Sequence, residues 1–214
     1  GEIISSSRQA AKHITIPESD MLALTSQQRS VISTAATIKI SNQNDWVPLD
    51  FSLAGKPQGY AIDLLLLIEE MTGIDFEFIN GFSWSELIDK YNNDSLDGLH
   101  SLLQNQNNRY SGVYSDPIYD FNFALVTRTS SADVHNYAEL AGLKVAILSG
   151  WPMTAKLRQD FPHIELIEFV DRNAAFKSVS EGDTDALLDV KPVLISGLSQ
   201  YFYKNLKLHD DIID

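Results

Sequence analysis

The residues of this chain best suited to chemistry are an arginine, two tryptophans, a carboxylate and a few small polar groups, and they suit recognition more than turnover. Arg109 lies in a polar stretch, Gln104 to Tyr110. A guanidinium offers a carboxylate two parallel charged hydrogen bonds; the plainer reading is a surface arginine. Asp189 closes the run Asp185 to Asp189, at the carboxyl end of an expected strand. There it would face whatever binds beyond the sheet, or cap the helix expected from Pro192. Trp46 could stack on apolar ligand atoms or hold a cation over its face, or simply be core. Gly150 and Trp151 lead into a helix start, where free N–H groups and the helix dipole favour an anion. Trp151 could line or plug such a site, and Pro152 suits a first helical turn. Ser101 and Gln104 follow a short strand and could add hydrogen bonds. Trp84 and Phe51 read as core.

Enzyme readings are thin. His13, His100, His135, His163 and His209 have no metal-ligand spacing, and there is no Gly-x-Ser-x-Gly, P-loop or His-Glu-x-x-His. Asp183 and Asp185 read as turn residues. The absence of cysteine removes disulfides, thiol nucleophiles and thiolate metal sites. No metal and no cofactor is expected. Sixteen basic residues against twenty-nine acidic ones give a net charge of -13, which would repel nucleic acid and anionic membranes. The apolar runs, such as Leu64 to Ile68, fall far short of the roughly 20 residues that span a bilayer. Gly1 is not a natural start, so the expectation is a piece of a longer protein.

These side chains need a scaffold, and the hydrophobic patterning describes one. Residues 1 to 36 are weakly patterned, with one short helix after Thr25 as N-cap. From Ile38 the order becomes β-α-β-α-β: a strand at Ile38, then a helix from Tyr60 buried over most of its surface and stopped at Gly73. A strand follows from Ile74 to Ile79, then a helix behind the capping box Ser83 to Glu86, then a strand over Leu96 to Leu99. Phe121 to Thr127 reads as a crossing strand. The order then recurs: a strand from Leu143, a helix to Phe161, a strand from Ile164, a helix from Asp171 to Gly182, a strand from Asp185 and a helix from Pro192. Alternating strands and helices imply parallel sheets under helices, joined by right-handed crossovers. Two such sets imply two lobes with strand ends facing across a cleft.

Three stretches then resemble one family. Asp45 to Phe51 with Gly55 to Leu64, Leu96 to Leu99 with Arg109 and Tyr114 to Tyr119, and Leu140 to Gly150 with Val179 to Ala186 are similar, in order and spacing, to motifs of the type II periplasmic binding proteins (extracellular solute-binding protein family 3) that bind polar amino acids. The resemblance covers roughly residues 37 to 208. It implies a two-lobed α/β clamshell, each lobe a mostly parallel sheet flanked by helices. It implies that Arg109 grips a ligand carboxylate, Asp189 its ammonium group and Trp46 its apolar side, with Ser101, Gln104, Gly150 and Trp151 completing the site. Asp63, a close match, reads as structural. The chain departs from the pattern at His100 and Leu102, in the Gln/Asn-rich run, and at Trp151 in place of a small hydroxyl residue.

Leu24 to Arg29 and the Gly81 to Leu87 variant look like copies that serve as sensor domains. The expectation is therefore a non-enzymatic, extracytoplasmic ligand-binding sensor of a bacterial membrane signalling protein, either a histidine kinase or a cyclic-di-GMP enzyme. Its partners would be a small polar ligand, such as an amino acid or carboxylate, and an attached membrane segment with a cytoplasmic output domain. The alternatives are the solute-binding protein of an ABC transporter, or a periplasmic dehydratase-like enzyme on the same fold. The expected organisation is a linker over 1–36, lobe 1 over 37–126 and lobe 2 over 127–214. The family's closing strand and final helix of lobe 1 are missing from that layout, and the open edge they leave would invite a homodimer.

Overall fold

The structure is a computed structural model that describes residues 22–102, 111–151, 153–201, 203–210 and 212. It opens with α1 (Ser26–Thr34), whose N-cap Thr25 forms a reciprocal capping box with Gln28. β1 (Ile38–Ser41) pairs in parallel with β5 (Phe76–Ile79). Between them lies an antiparallel meander of β2 (Asp45–Trp46), β3 (Asp50–Leu53) and β4 (Lys56–Gln58). α2 (Tyr60–Thr72) follows Gly59, where a Cβ would sit 2.6 Å from the Leu49 carbonyl oxygen at φ +112°; only glycine lets the chain pass there. α2 ends at Gly73 in the left-handed conformation, and α3 (Trp84–Asn92) starts at the Ser83/Glu86 capping box, both as expected.

Two expectations need correction. The stretch Leu96 to Leu99 forms no strand, only a bridge from Gly98 to Ile40. The Asp97 carboxylate accepts the Lys39 N–H at 2.8 Å, taking a donor that a neighbouring strand's carbonyl would otherwise bond. α2 is also less buried than its Leu-rich sequence implies: Ile62 alone is fully buried, and Leu67 is exposed. The sheet beneath it has two described strands, β1 and β5, too little surface to cover an apolar helix all round.

The C-terminal half holds a five-stranded sheet of order β10-β6-β9-β7-β8. Its strands are β6 (Phe123–Arg128), β7 (Lys144–Leu148), β8 (Glu165–Phe169), β9 (Ala186–Val190) and β10 (Leu206–His209). β7 runs parallel to β8 and β9, while β6 runs antiparallel to β9 and β10. Successive residues sort to opposite faces. Leu125, Val145, Ile147 and Leu188 face one cluster; Ala124, Val126, Ala146 and Leu187 face the other. Both faces are covered, which is why these strands are apolar throughout rather than alternating.

The second face lies under α5 (Arg172–Glu181) and α6 (Lys191–Tyr201), through Ala175, Phe176, Val179 and Leu194. The first is covered by Leu157 of α4 (Met153–Asp160) and by Trp84 and Leu87 of α3. A helix of the N-terminal half thus shares an apolar core with the sheet of the C-terminal half. As expected, Asp171 caps α5 by accepting from the Ala174 N–H at 2.8 Å, and Gly182 closes it in the left-handed conformation.

Candidate functional site

The two halves meet at a small cavity lined by Gln43, Trp46, Trp84, Ser101, Leu148, Trp151 and Arg172. The elements that bring these side chains together are β2, the start of α3, the turn after Gly98, the end of β7 and the start of α5. Three of the residues singled out from sequence, Trp46, Ser101 and Trp151, therefore share one cavity. Gly150 adjoins it on the exposed side, at φ +74°, with Ser85 and Ile88 of α3 about 3.5 Å from where its Cβ would stand. Gln104 and Arg109 lie outside the described residues. Sequence reasoning missed Gln43, Leu148 and Arg172 and read Trp84 only as core.

Trp46 is buried and packs on Leu49, Val190 and Val193, so its ring bridges the two halves. Its indole N–H points at Asp189 Oδ1 at a long 3.4 Å. Asp189 is held further by the Val190 N–H at 2.7 Å and by Arg172 Nε at 2.9 Å. Arg172 reaches across to Asp45 in β2, through Nη1 at 2.7 Å and its backbone N–H at 2.8 Å. Its guanidinium carbon stands 5.8 Å from the Trp46 ring centroid, within cation–π range. The Arg172 and Asp189 side chains are only 4% and 5% exposed, whereas Asp45 keeps 28%. Trp151 meets Phe123 edge to face, with centroids 5.5 Å apart.

Behind the cavity lies a buried polar cluster. Asp50 accepts from Asn42 Nδ2 at 2.7 Å and from the Gln43 N–H at 3.2 Å. Burial pushes its carboxyl above the ordinary carboxylate range, against the opposing pull of His100, Asn42, Gln43 and Arg172. His100 Nε2 stands 3.5 Å from Asp50 Oδ2, near enough for an ion pair but not aligned as a hydrogen bond. On its other side, His100 Nδ1 shares a 2.8 Å hydrogen bond with Ser101 Oγ. Ser101 is held at φ +58°, an uncommon conformation for a residue with a side chain. The cluster is thus linked through Ser101 to the cavity wall.

The cavity offers aromatic walls, a few hydrogen-bonding groups and a paired charge. The free volume is about 10 Å³, at the lower limit for holding a single water molecule. Side chains from both halves fill the rest of the space between them. Among the described residues, no three His, Cys, Asp or Glu side chains converge as metal ligands. No described helix is long and apolar enough to cross a membrane.

Two α/β units meeting at a cavity with walls from both define a solute-binding-protein fold of the clamshell type. The chain belongs to the bacterial extracellular solute-binding proteins, family 3, whose model matches residues 38–200. It is 21% identical over 187 residues to the virulence sensor protein BvgS of Bordetella bronchiseptica, a match covering 87% of this chain and 15% of that protein. The chain therefore spans only a small part of that relative. Among solved structures, it resembles the periplasmic VFT2 domain of Bordetella pertussis BvgS, with a TM-score of 0.73 and 20% identity over 88% of this chain and 80% of that one. It also resembles a histidine kinase sensor domain similar to periplasmic binding proteins, with a TM-score of 0.72 and 22% identity over 83% and 78% of the two chains.

Proposed function

We propose that this chain is the periplasmic ligand-binding domain of a bacterial membrane sensor, and that a small polar solute acts at the cavity between its lobes. The observation that carries this reading is the cavity itself, walled by Gln43, Trp46, Trp84 and Ser101 from one half and by Leu148, Trp151 and Arg172 from the other. Such a site ties occupancy to the relative position of the lobes, because a ligand touching both shifts their equilibrium by its differential affinity for the two arrangements. Similarity to BvgS and to a histidine kinase sensor domain favours sensing over transport. Histidine kinase and cyclic-di-GMP outputs both remain in this proposal. Arg109, Gln104 and Ser101 are proposed as the ligand's carboxylate and hydrogen-bonding contacts.

Two measurements test it. An antibody raised to the chain should detect, in cells that make it, a membrane-bound polypeptide much larger than the chain; a free periplasmic protein of its own size would replace sensing with transport. A thermal-shift screen against amino acids, small carboxylates and other polar metabolites should give a ligand whose shift is lost in Arg109→Ala. At 100 times its Kd, a ligand adds about 2.7 kcal/mol. A shift indifferent to Arg109→Ala, Ser101→Ala and Trp46→Ala would move the site away from the cavity.

A further inference from the structure

Arg172 is the charged cavity wall that sequence reasoning missed, and two carboxylates hold its guanidinium in place. It is 4% exposed and bonds two carboxylates from different halves of the molecule, Asp45 and Asp189, beneath the Trp46 ring. Burying a guanidinium is costly unless its charge is paired and its donors are used. Here Nε, Nη1 and the backbone N–H are all satisfied by those two carboxylates. The local backbone does not favour this placement. Arg172 is the first residue of α5, where the positive end of the helix dipole disfavours a cation. The two carboxylates, not the helix, hold it.

We infer that Asp45, Asp189 and the Trp46 face form a cation-binding site that the protein occupies with its own Arg172 side chain, a tethered ligand. The inference deepens the reading of the cavity as a ligand site and constrains it. An incoming solute cannot anchor an ammonium or guanidinium group on Asp189 unless it displaces a cation that is tethered to the chain itself and already sits 2.9 Å from that carboxylate. Displacement would require a free cation to outcompete an intramolecular one, whose effective concentration is in the millimolar range or above. The wild-type cavity therefore rejects cationic ligands and leaves neutral polar or anionic ones. Removing the Arg172 side chain opens a site of predictable chemistry: two carboxylates and an aromatic face, suited to a planar guanidinium.

The test is a gain of binding. Ethylguanidinium and agmatine, cations without a carboxylate, are titrated at millimolar concentration against the wild-type chain, Arg172→Ala and Arg172→Ala/Asp189→Asn, reading thermal midpoint and tryptophan fluorescence. The expected result is no response in the wild type, a saturable rise in midpoint with a fluorescence change in Arg172→Ala, and at least a tenfold weaker response in the double variant. Saturable binding of these cations to the wild type, or an equal response in Arg172→Ala and the double variant, overturns the inference. Should Arg172→Ala not fold, the wild type alone decides. NMR of its arginine side chains should show an Arg172 Nε–H protected from solvent exchange and unmoved by ethylguanidinium; an Nε–H exchanging like those of surface arginines overturns the inference. None of these outcomes depends on the native solute or on where the parent protein resides, so their failure is separable from failure of the sensor reading.

Discussion

Truncating Asp189 should be among the more damaging single changes in the C-terminal half. The carboxylate is 5% exposed and faces a guanidinium that is 4% exposed. Asp189→Ala leaves that charge with Asp45 alone and strips the acceptor from the Val190 N–H and the Trp46 indole. Breaking a buried pair by removing one partner costs about 3–5 kcal/mol. Asp45, partly exposed, still holds Nη1 and keeps the loss toward the lower end, so about 3–4 kcal/mol is expected. In urea, with a slope of about 1–3 kcal/mol/M, the midpoint should fall by 1 M or more. Replacing both partners with apolar residues of similar volume, as in Arg172→Met/Asp189→Leu, should recover most of this, because the double variant removes both fully buried charges and leaves only the partly exposed Asp45 carboxylate. The measurement is equilibrium urea unfolding of the wild type, both single variants and the double. If Asp189→Ala lost less than about 1 kcal/mol at unchanged slope, the Arg172–Asp189 contact would be solvated rather than a buried, tightly paired charge.

Other outcomes follow from particular contacts. His209 accepts from the Val134 N–H at 3.3 Å on Nδ1, so its proton lies on Nε2 and is donated to Thr127 Oγ1 at 2.7 Å. Burial, with Lys207 nearby, lowers its pKa below 6.5 while Asp133 pulls it up. A depressed folded pKa means that the stability from neutral His209 is fully present above 6.5 and is lost as pH falls through the lower, folded value. A plot of unfolding free energy against pH should therefore drop below 6.5 in the wild type and flatten there in His209→Gln. Gly197→Ala would place a Cβ 2.3 Å from the Phe176 ring and should cost about 1–3 kcal/mol by overpacking. Adding Phe176→Leu should cost less than the sum of the two single changes, read by a double-mutant cycle in urea. Gly59→Ala, with backbone 2.6 Å from the new Cβ and φ +112°, should lose about 2–4 kcal/mol or fail to accumulate as folded protein by circular dichroism.

What the sequence made legible was local. Ser83 with Glu86, Asp171 before α5, and glycines 73 and 182 mark helix ends through bonds spanning three or four residues, and such signals survive whatever the rest of the chain does. The β2–β4 meander escaped notice because its strands are two to four residues long and carry no alternation. The strand expected at Leu96 failed because a side chain, that of Asp97, replaced a ladder partner. The burial of α2 was overread because a Leu-rich helix signals a need for cover but not the area available. In the site, Trp46, Ser101 and Trp151 could be brought together only by the order and spacing of the family-like motifs. Arg172 carried no such cue, since its cross-lobe partner Asp45 is 127 residues away. One signal was present: a cation in the first turn of a capped helix runs against the dipole, a mismatch that asks for a compensating carboxylate elsewhere.

The pairing of β10 with β6 has a mechanical consequence. The two strands run antiparallel from Leu206 opposite Arg128 to His209 opposite Leu125. The chain therefore leaves the sheet beside the place where β6 enters it from the N-terminal half. Tension applied along β10 from beyond His209 would load all four residue pairs in shear, sharing the force among their hydrogen bonds instead of peeling them one at a time. A sheet gripped in this way passes displacement on with little slack, and the imidazole of His209, tied to Thr127 and Val134, clamps the end at which the load arrives.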